Sequence, residues 1–275
     1  MIALVLGGNG MAGHMVVNYL KKDPSIEVHF TTRDDHSESI KCDATNFEQL
    51  HDIIKELKPD YVINCIGILN KAADQELYNA IVLNSLLPHY LTKELDRYGG
   101  KLIHISTDCV FSGSTGSYHE NDLKDGQTNY ARTKALGEVN LSPHLTIRTS
   151  IIGPETKNNG IGLLHWFFKQ TGTIKGYRQV WWNGVTTLEL ARFIRYVMEQ
   201  QITGLCHLTA KEPINKYDLL VLFKSCFLKE DVEILPDNEI SSNKTLVNTR
   251  QDILYETKDY PKMLEELRDW MSQHE

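Results

Sequence analysis

Metal-ligand and disulfide patterns are missing from this chain of 275 residues. Its five cysteines are widely spaced without a CxxC pair, and its eleven histidines form no HExxH or similar ligand spacing. Scattered cysteines of odd number indicate neither a zinc site nor a disulfide framework. We therefore expect reduced thiols, a cytoplasmic setting, no metal, and histidines that are structural or on the surface.

A basic block and a long apolar run are also missing. The formal net charge is −7 with lysine and arginine unclustered, which argues against nucleic acid and anionic membranes as partners. No apolar run approaches the ~20 residues of a membrane helix. The apolar start, "MIALVL", has no basic leader and predicts a strand rather than a signal peptide.

What the chain does contain is alternation between strand-like and helix-like segments. Strands are predicted at 1–6, 26–32, 61–67, 101–106 and 145–150, and helices at 11–22, 46–57, 75–98 (bent near Pro88) and 130–141. This order predicts right-handed βαβ crossovers and an α/β fold, a Rossmann-type doubly wound parallel sheet.

The regular alternation of strands and helices changes after about residue 150. We expect residues 1–152 to form a dinucleotide-binding domain and residues 153–275 a smaller substrate-binding part, with about 185–210 returning to the sheet. Residues 211–275 are predicted as helices and loops. Ligands of open parallel sheets bind beyond the carboxyl ends of the strands, so this part should form the second wall of a cleft.

A glycine loop joins the first predicted strand to the first predicted helix. Gly7, Gly10 and Gly13 have GxxGxxG spacing, and Met11 lies among them. Glycines there permit a tight turn and let backbone N–H groups at a helix start approach a pyrophosphate. We therefore predict a dinucleotide site at these four residues; the alternative is an ordinary glycine-rich turn.

Residues at the tip of the second predicted strand indicate which dinucleotide binds. Arg33 would accommodate the 2′-phosphate of NADPH, whereas an acidic residue would bind the ribose diol of NADH. Asp34 and Asp35 follow Arg33 directly. The sequence favours NADPH and leaves NADH open; Arg33 could otherwise be a solvated turn cation.

Tyr130 and Lys134 are four residues apart, so on a helix they project from one face. A cation beside a phenol favours the phenolate and lowers its pKa, which would make a proton donor or acceptor usable near neutral pH. The alternative is a chance pair on a solvated helix face.

Together, the glycine loop, "STDCVFSG" (106–113) and YxxxK resemble the extended short-chain dehydrogenase/reductase family. Within it, the chain is most similar to dTDP-4-dehydrorhamnose reductases and related nucleotide-sugar 4-ketoreductases. The resemblance implies NAD(P)H-dependent reduction of a 4-keto nucleotide-sugar in deoxysugar or surface-polysaccharide synthesis. It implies a nucleotide-sugar partner and leaves a homodimer open.

The resemblance also implies roles for individual residues. Tyr130 would protonate the carbonyl oxygen, and Lys134 would hold the nicotinamide ribose and lower the pKa of Tyr130; both would contact the cofactor. Thr107 would orient the carbonyl (alternatively it is a helix or turn cap), with Asp108 beside it in the substrate site, and Asn84 would support the site. Further cofactor contacts would come from Asp43 (alternatively a helix-cap or turn aspartate), Ala44, Cys65 and Gly67.

Two positions depart from the family pattern, and a third separates reductases from dehydratases. Ile151 stands where the rhamnose-forming enzymes usually carry tryptophan, and Met15 replaces one of two magnesium-binding glutamates, leaving Glu189 alone. Cys109 stands where the related 4,6-dehydratases have their glutamate base, which favours a reductase. An epimerase and a non-catalytic subunit, like the regulatory subunit of methionine adenosyltransferase, remain as alternatives.

Four side chains after residue 160 could flank a ligand. Aromatic surfaces stack on bases and sugars, although core packing is the commoner role of such residues. The candidates are His165, Trp166, Trp181 and Trp182.

Overall fold

A computed structural model describes residues 1–34, 38–157 and 160–274. Its strands are β1 (Ile2–Leu6), β2 (Glu27–Thr32), β3 (Ile40–Lys41), β4 (Tyr61–Asn64), β5 (Lys101–Thr107), β6 (Leu145–Thr149), β7 (Ile151–Ile152), β8 (Gly172–Trp182), β9 (Val185–Thr186), β10 (Gly204–His207), β11 (Ile214–Asn215) and β12 (Val232–Asn243). Seven of them form a parallel sheet in the order β10-β6-β5-β4-β1-β2-β3. The predicted parallel sheet is confirmed.

Within the described residues, ten α-helices connect and cover these strands. They are α1 (Met11–Leu20), α2 (Phe47–Leu57), α3 (Asn70–Gln75), α4 (Leu77–Ala80), α5 (Leu87–Leu95), α6 (Asn129–Leu136), α7 (Leu163–Phe168), α8 (Thr187–Gln200), α9 (Lys216–Cys226) and α10 (Tyr260–His274). None of the helices in the described parts of the chain is both long and apolar enough to cross a bilayer.

Side chains of β1 divide between two hydrophobic cores, one on each face of the sheet. Ala3 and Val5 join the core that includes residues of α1, α8 and α10. Leu4 and Leu6 join the core built with α2 and α5. Because both faces are covered, β1 is apolar at every position rather than at alternate ones. The doubly wound α/β fold is therefore confirmed, whereas the boundary at residue 152 stays a prediction.

The prediction of only helices and loops after residue 210 was wrong. β12 runs parallel to β8, which itself was not predicted, and β11 pairs with the other edge of β8 to complete a three-stranded sheet. Pro236 and several acidic and amide residues give β12 a low strand propensity, and the register shifts between Asp237 and Ser241. Pairing with β8 outweighs this propensity.

The predicted bend near Pro88 is more extensive than a kink. Residues Ile81–Leu86 form a π-helical segment between α4 and α5, and Pro88 lies in the first turn of α5. The Leu87 N–H bonds to the Val82 carbonyl, five residues back. Since proline has no N–H to donate within a helix, the irregularity is concentrated just before it. Asn84 lies in this segment and is buried.

Candidate active site

The glycine loop forms a tight turn that leads into an open helix start. Gly7 has a φ of +79°, and the Gly10 N–H bonds to the Gly7 carbonyl at 2.9 Å. Gly10 caps α1 without a side-chain hydrogen bond, and no acidic residue lies in the first turn. The N–H groups and the positive end of α1 are thus unobstructed by a capping side chain, as an anion site requires.

Gly13 serves packing rather than access to a ligand. A Cβ built on Gly13 would lie 2.1 Å from the Gly7 carbonyl oxygen and 2.8 Å from the Gly7 carbonyl carbon. At Gly10 the same construction meets only the Gly7 oxygen, at 3.3 Å. The third glycine therefore lets the helix approach the turn, whereas the second keeps the helix start open.

A cleft of about 510 Å³ opens beside the glycine loop. Seven of the predicted cofactor residues line it: Gly7, Gly10, Arg33, Asp43, Ala44, Cys65 and Gly67. The other four predicted cofactor residues, Met11, Gly13, Tyr130 and Lys134, are not among its lining residues. A cofactor contact by any of these four stays a prediction.

The cleft end near the tip of β2 contains charges of both signs. Arg33 and Asp34 line it together, and Asp35 lies outside the described residues. Asp43 accepts two hydrogen bonds from Thr45 through Oδ1, at 2.8 and 3.0 Å, so it forms the turn that was the alternative interpretation. These bonds, with a smaller contribution from the Arg33 charge, lower the pKa of Asp43. A cofactor contact by Asp43 stays a prediction.

We expect Arg33→Ala to weaken NADPH more than NADH. A charge-assisted hydrogen bond contributes about 1.5–3 kcal/mol, so the Kd of NADPH should rise roughly tenfold or more. The Kd of NADH, which has no 2′-phosphate, should change little. Fluorescence titration of both cofactors checks this, with Lys58→Ala as an exposed charge control. Equal losses for both cofactors would show that Arg33 does not read the 2′-phosphate.

Thr107, Asp108 and Tyr130 are buried together at the carboxyl end of β5. Thr107 Oγ1 donates to Asp108 Oδ1 at 3.1 Å and accepts from the Cys109 N–H at 3.1 Å. Burial raises the pKa of Tyr130, with further contributions from Cys109 and Asp108, and a hydrogen bond with Thr107 opposes this. The expectation that Lys134 lowers the pKa of this phenol is not met in this structure, where the cost of burying the phenolate dominates.

Lys134 is 3% exposed, and its ammonium contacts β5. Its Nζ donates to the Ile105 carbonyl at 2.7 Å and lies 3.3 Å from His104 Nε2. Burial lowers the pKa of Lys134 to about 8. The lysine charge also lowers the pKa of Cys65, against the larger effect of burial. Since Cys65 lines the cleft, the Lys134 ammonium lies near one wall of the cleft.

His104 is a residue of the site that sequence reasoning missed. It is fully buried, and burial followed by the Lys134 charge lowers its pKa well below the usual range. Its Nδ1 lies 3.2 Å from Asn64 Nδ2, at the end of β4. The available signal was a histidine inside the apolar strand "KLIHIS", three residues before Thr107.

Asn84 connects the loop after β4 with α6. It accepts from the Ile68 N–H at 2.8 Å, and its amide donates to the Ile68 carbonyl at 2.9 Å and to Thr133 Oγ1 at 3.1 Å. The helix predicted to reach residue 141 ends at Leu136, with Gly137 as its C-cap. A Cβ at Gly137 would lie 1.8 Å from the Asn84 carbonyl oxygen, so glycine lets α6 pack closely against the π-helical segment. This packing and the bond to Thr133 help to position α6, which carries both Tyr130 and Lys134.

Comparison with known proteins identifies the family. The family model "RmlD substrate binding domain" matches residues 1–272. The chain belongs to this family. A dTDP-4-dehydrorhamnose reductase of Aggregatibacter actinomycetemcomitans is 26% identical over 246 residues, covering 85% of this chain and 82% of that protein. Methionine adenosyltransferase 2 subunit beta of Danio rerio is 23% identical over 250 residues, covering 86% and 77%.

Solved structures of this family have the same fold. A dTDP-4-dehydrorhamnose reductase from Bacillus anthracis, in complex with NADP, superposes with a TM-score of 0.84 at 18% identity, covering 98% of this chain and 99% of that one. The reductase from Clostridium acetobutylicum gives a TM-score of 0.82 at 23% identity, covering 99% and 100%. The predicted resemblance to the reductase family is confirmed.

At the positions that depart from the family pattern, the side chains make structural contacts. Met15 is buried in the core beneath α1, and Ile151 pairs with β9 through β7. Glu189 is 1% exposed and accepts hydrogen bonds from Tyr255 at 2.8 Å and Arg192 at 3.2 Å. The carboxylate that could have bound magnesium is therefore engaged by a phenol and a guanidinium.

The aromatic candidates of the C-terminal part separate by burial. Trp182 is 4% exposed and stacks on Tyr260 at 5.6 Å between ring centres. This is the packing role that was the alternative. Trp166 and Trp181 are each 39% exposed, and a ligand contact by them or by His165 stays a prediction.

Proposed function

We propose that this chain reduces the 4-keto group of a nucleotide-sugar with NADPH, in deoxysugar or surface-polysaccharide biosynthesis. The observation that carries the proposal is the burial of Thr107, Tyr130 and Lys134 around the carboxyl end of β5, beside the glycine-lined cleft. Open parallel sheets bind their ligands at this end. The relatives named as dTDP-4-dehydrorhamnose reductases support the same substrate class.

The cleft fits a dinucleotide. The uncapped start of α1 presents backbone donors to a pyrophosphate, and a side chain at Gly10 would project beside the Gly7 oxygen. Arg33 lies at the far end of the same cleft, where a 2′-phosphate would be held. NADPH is therefore the expected cofactor, supplying the hydride when bound, and Cys65 and Lys134 would lie on its nicotinamide side.

Proton transfer is the task of Tyr130. Because burial raises the pKa of its phenol, the side chain is protonated near neutral pH and can donate its proton to the ketone oxygen. Thr107 would donate a hydrogen bond to that oxygen, with its hydroxyl turned away from Asp108, to which it donates in this structure. The ketone carbon accepts the hydride and its oxygen accepts the phenol proton, so the product is an alcohol. Tyr130 is reprotonated from water.

Cys109 argues against the elimination of water. Burial raises the pKa of its thiol to about 11, so the group is not a base near neutral pH. A dehydratase would need a base at this position, whereas ketone reduction does not.

The test of the proposed function is NADPH oxidation with a panel of 4-keto nucleotide-sugars, followed at 340 nm. A reductase consumes one NADPH for each alcohol formed. Two alternatives give different results. An epimerase interconverts sugars without net NADPH consumption and retains tightly bound cofactor, visible in the absorbance spectrum of the pure protein. A non-catalytic subunit, the alternative raised by the relative from Danio rerio, binds NADPH and oxidises none.

Cofactor affinity should depend on pH through Lys134. Its folded pKa of about 8 lies below the unfolded value of 10.5, so the ammonium is present below about pH 8 and is lost above it. We expect the Kd of NADPH to rise by roughly tenfold between pH 7 and pH 9.5, as a charge-assisted bond is lost. NADPH titration at each pH checks this. Lys134→Arg keeps its charge throughout, so an equally steep profile in that variant would contradict the assignment.

A further inference from the structure

Two lysines from the C-terminal part of the chain face the loop that follows β5. Lys244 comes directly after β12, and its Nζ lies 3.7 Å from the Cys109 sulfur. Lys216 begins α9, and its Nζ lies 4.4 Å from the centre of the Trp182 ring. Both positive charges act on Asp108, where they oppose the effect of burial on its carboxyl pKa. The two ammonium groups therefore both lie near the loop that follows β5.

Positive charge exceeds negative charge in this cluster. Both lysines are half-buried, and neither forms an ion pair with a carboxylate in residues 1–34, 38–157 and 160–274. Burial raises the pKa of Asp108 and brings the pKa of Cys109 to about 11, so the thiol is neutral. Burial also lowers the pKa of Lys216 to about 8, but most of it stays charged near pH 7. Two partly buried cations beside one carboxylate favour an anionic ligand.

The position of the cluster indicates which ligand it serves. Both lysines act on Asp108, and Lys244 lies beside Cys109. The neighbour of these two residues, Thr107, would hold the reacting carbonyl. An anion bound there would lie beside the ketone, on the substrate's side of the site. The face of the Trp182 ring beside Lys216 attracts the charged form of the amine.

We propose that Lys216 and Lys244 form the anion-binding part of the substrate site and hold an oxyanion of the substrate. The inference rests on the proposed function, which puts the ketone at Thr107 and Tyr130. In a nucleotide-sugar the diphosphate is separated from the 4-keto carbon by one sugar ring, so the diphosphate is the expected group. A carboxylate on the sugar has the same chemistry and is distinguished by the experiment.

Binding measurements test this without requiring turnover. The parent and the variants Lys216→Met and Lys244→Met are titrated with UDP, dTDP and the uncharged nucleosides uridine and thymidine, with NADP⁺ present. UDP-glucuronate and UDP-glucose form a second pair that differs by a sugar carboxylate. Lys211→Met is the matched control, since Lys211 is an exposed lysine just before β11. Thermal unfolding of each variant reports on folding.

Each methionine variant should bind the nucleoside diphosphates about tenfold more weakly, or about 1.4 kcal/mol, with unchanged affinity for NADPH and the nucleosides. Lys216→Arg should recover most of the loss, and Lys211→Met should show none. A loss confined to UDP-glucuronate would identify a sugar carboxylate as the bound group. Parent-like affinity of both variants for every anionic ligand would overturn the proposal. So would a parent that binds nucleoside diphosphates no better than nucleosides and UDP-glucuronate no better than UDP-glucose.

Failure of this inference and failure of the proposed function have different signatures. Absence of NADPH oxidation in the parent contradicts the reductase but leaves the binding comparison intact. With an active parent, Lys216→Met should raise KM while largely preserving kcat, because a remote binding contact has been removed. A parent-like KM for both lysine variants, with oxidation intact, contradicts the anion site alone.

Discussion

Tyr130→Phe should lower turnover by about 10²–10⁴-fold, the usual contribution of a general acid, while NADPH still binds. The substitution removes only the hydroxyl and keeps the ring, which packs among buried residues. The phenol is buried and its pKa is raised, so it is protonated in the parent near neutral pH. Phenylalanine has no proton to donate. Steady-state NADPH oxidation with a 4-keto nucleotide-sugar, beside NADPH titration, measures both quantities.

Tyr78→Phe is the matched control, since Tyr78 is 78% exposed. Thr107→Val should also lower turnover with little effect on NADPH, and the double variant should lose far less than the product of the two losses, because both groups act on one oxygen. A Tyr130→Phe protein that turned over a confirmed substrate at the parent rate would exclude the phenol as the acid. Tyr130 and Lys134 would then be a structural pair.

Valine substitutions at Gly10 and Gly13 should separate binding from folding. Gly10→Val puts a side chain beside the open start of α1, where the nearest atom is the Gly7 oxygen at 3.3 Å. NADPH affinity should fall by about 100-fold or more if two backbone bonds to the pyrophosphate are lost. The Tm should stay close to that of the parent. Fluorescence titration and thermal unfolding measure the two effects.

Gly13→Val should destabilise the fold first and weaken cofactor binding only as a consequence. Its Cβ would fall 2.1 Å from the Gly7 carbonyl oxygen, so α1 must move away from the turn. Overpacking of this kind costs about 1–3 kcal/mol, and the Tm should drop visibly, with cofactor binding weakened as a consequence. Parent-like NADPH affinity in folded Gly10→Val would remove the glycine loop from the cofactor site.

Much of the Rossmann half was predictable because its signals are local. A strand buried on both faces is a short, continuously apolar run, and a helix between two such runs implies a parallel crossover. β1, β4 and β5 have this character. The i, i+4 spacing that puts Tyr130 and Lys134 on one face of α6 is also local.

The three-stranded sheet and the contact between His104 and Lys134 were not predictable in this way. β12 has a proline and many polar residues, and it becomes a strand only by pairing with β8, about sixty residues earlier in the chain. His104 looks like one more residue of an apolar strand until α6 brings Lys134 over it. The effect of burial on the pKa of Tyr130 was not predicted, because sequence spacing reports the neighbouring cation but not the depth of burial.

The sequence by itself determined the parallel sheet, the glycine turn and the pairing of Tyr130 with Lys134, since each depends on residues within a few turns of chain. Only the tertiary structure decided which charges meet. Lys244 and Cys109 are 135 residues apart and come within 3.7 Å, and Glu189 is engaged by Tyr255, 66 residues further on. Such contacts depend on how the C-terminal sheet and helices pack over β5. That packing is set by the combined burial of many side chains, which no short stretch of sequence specifies.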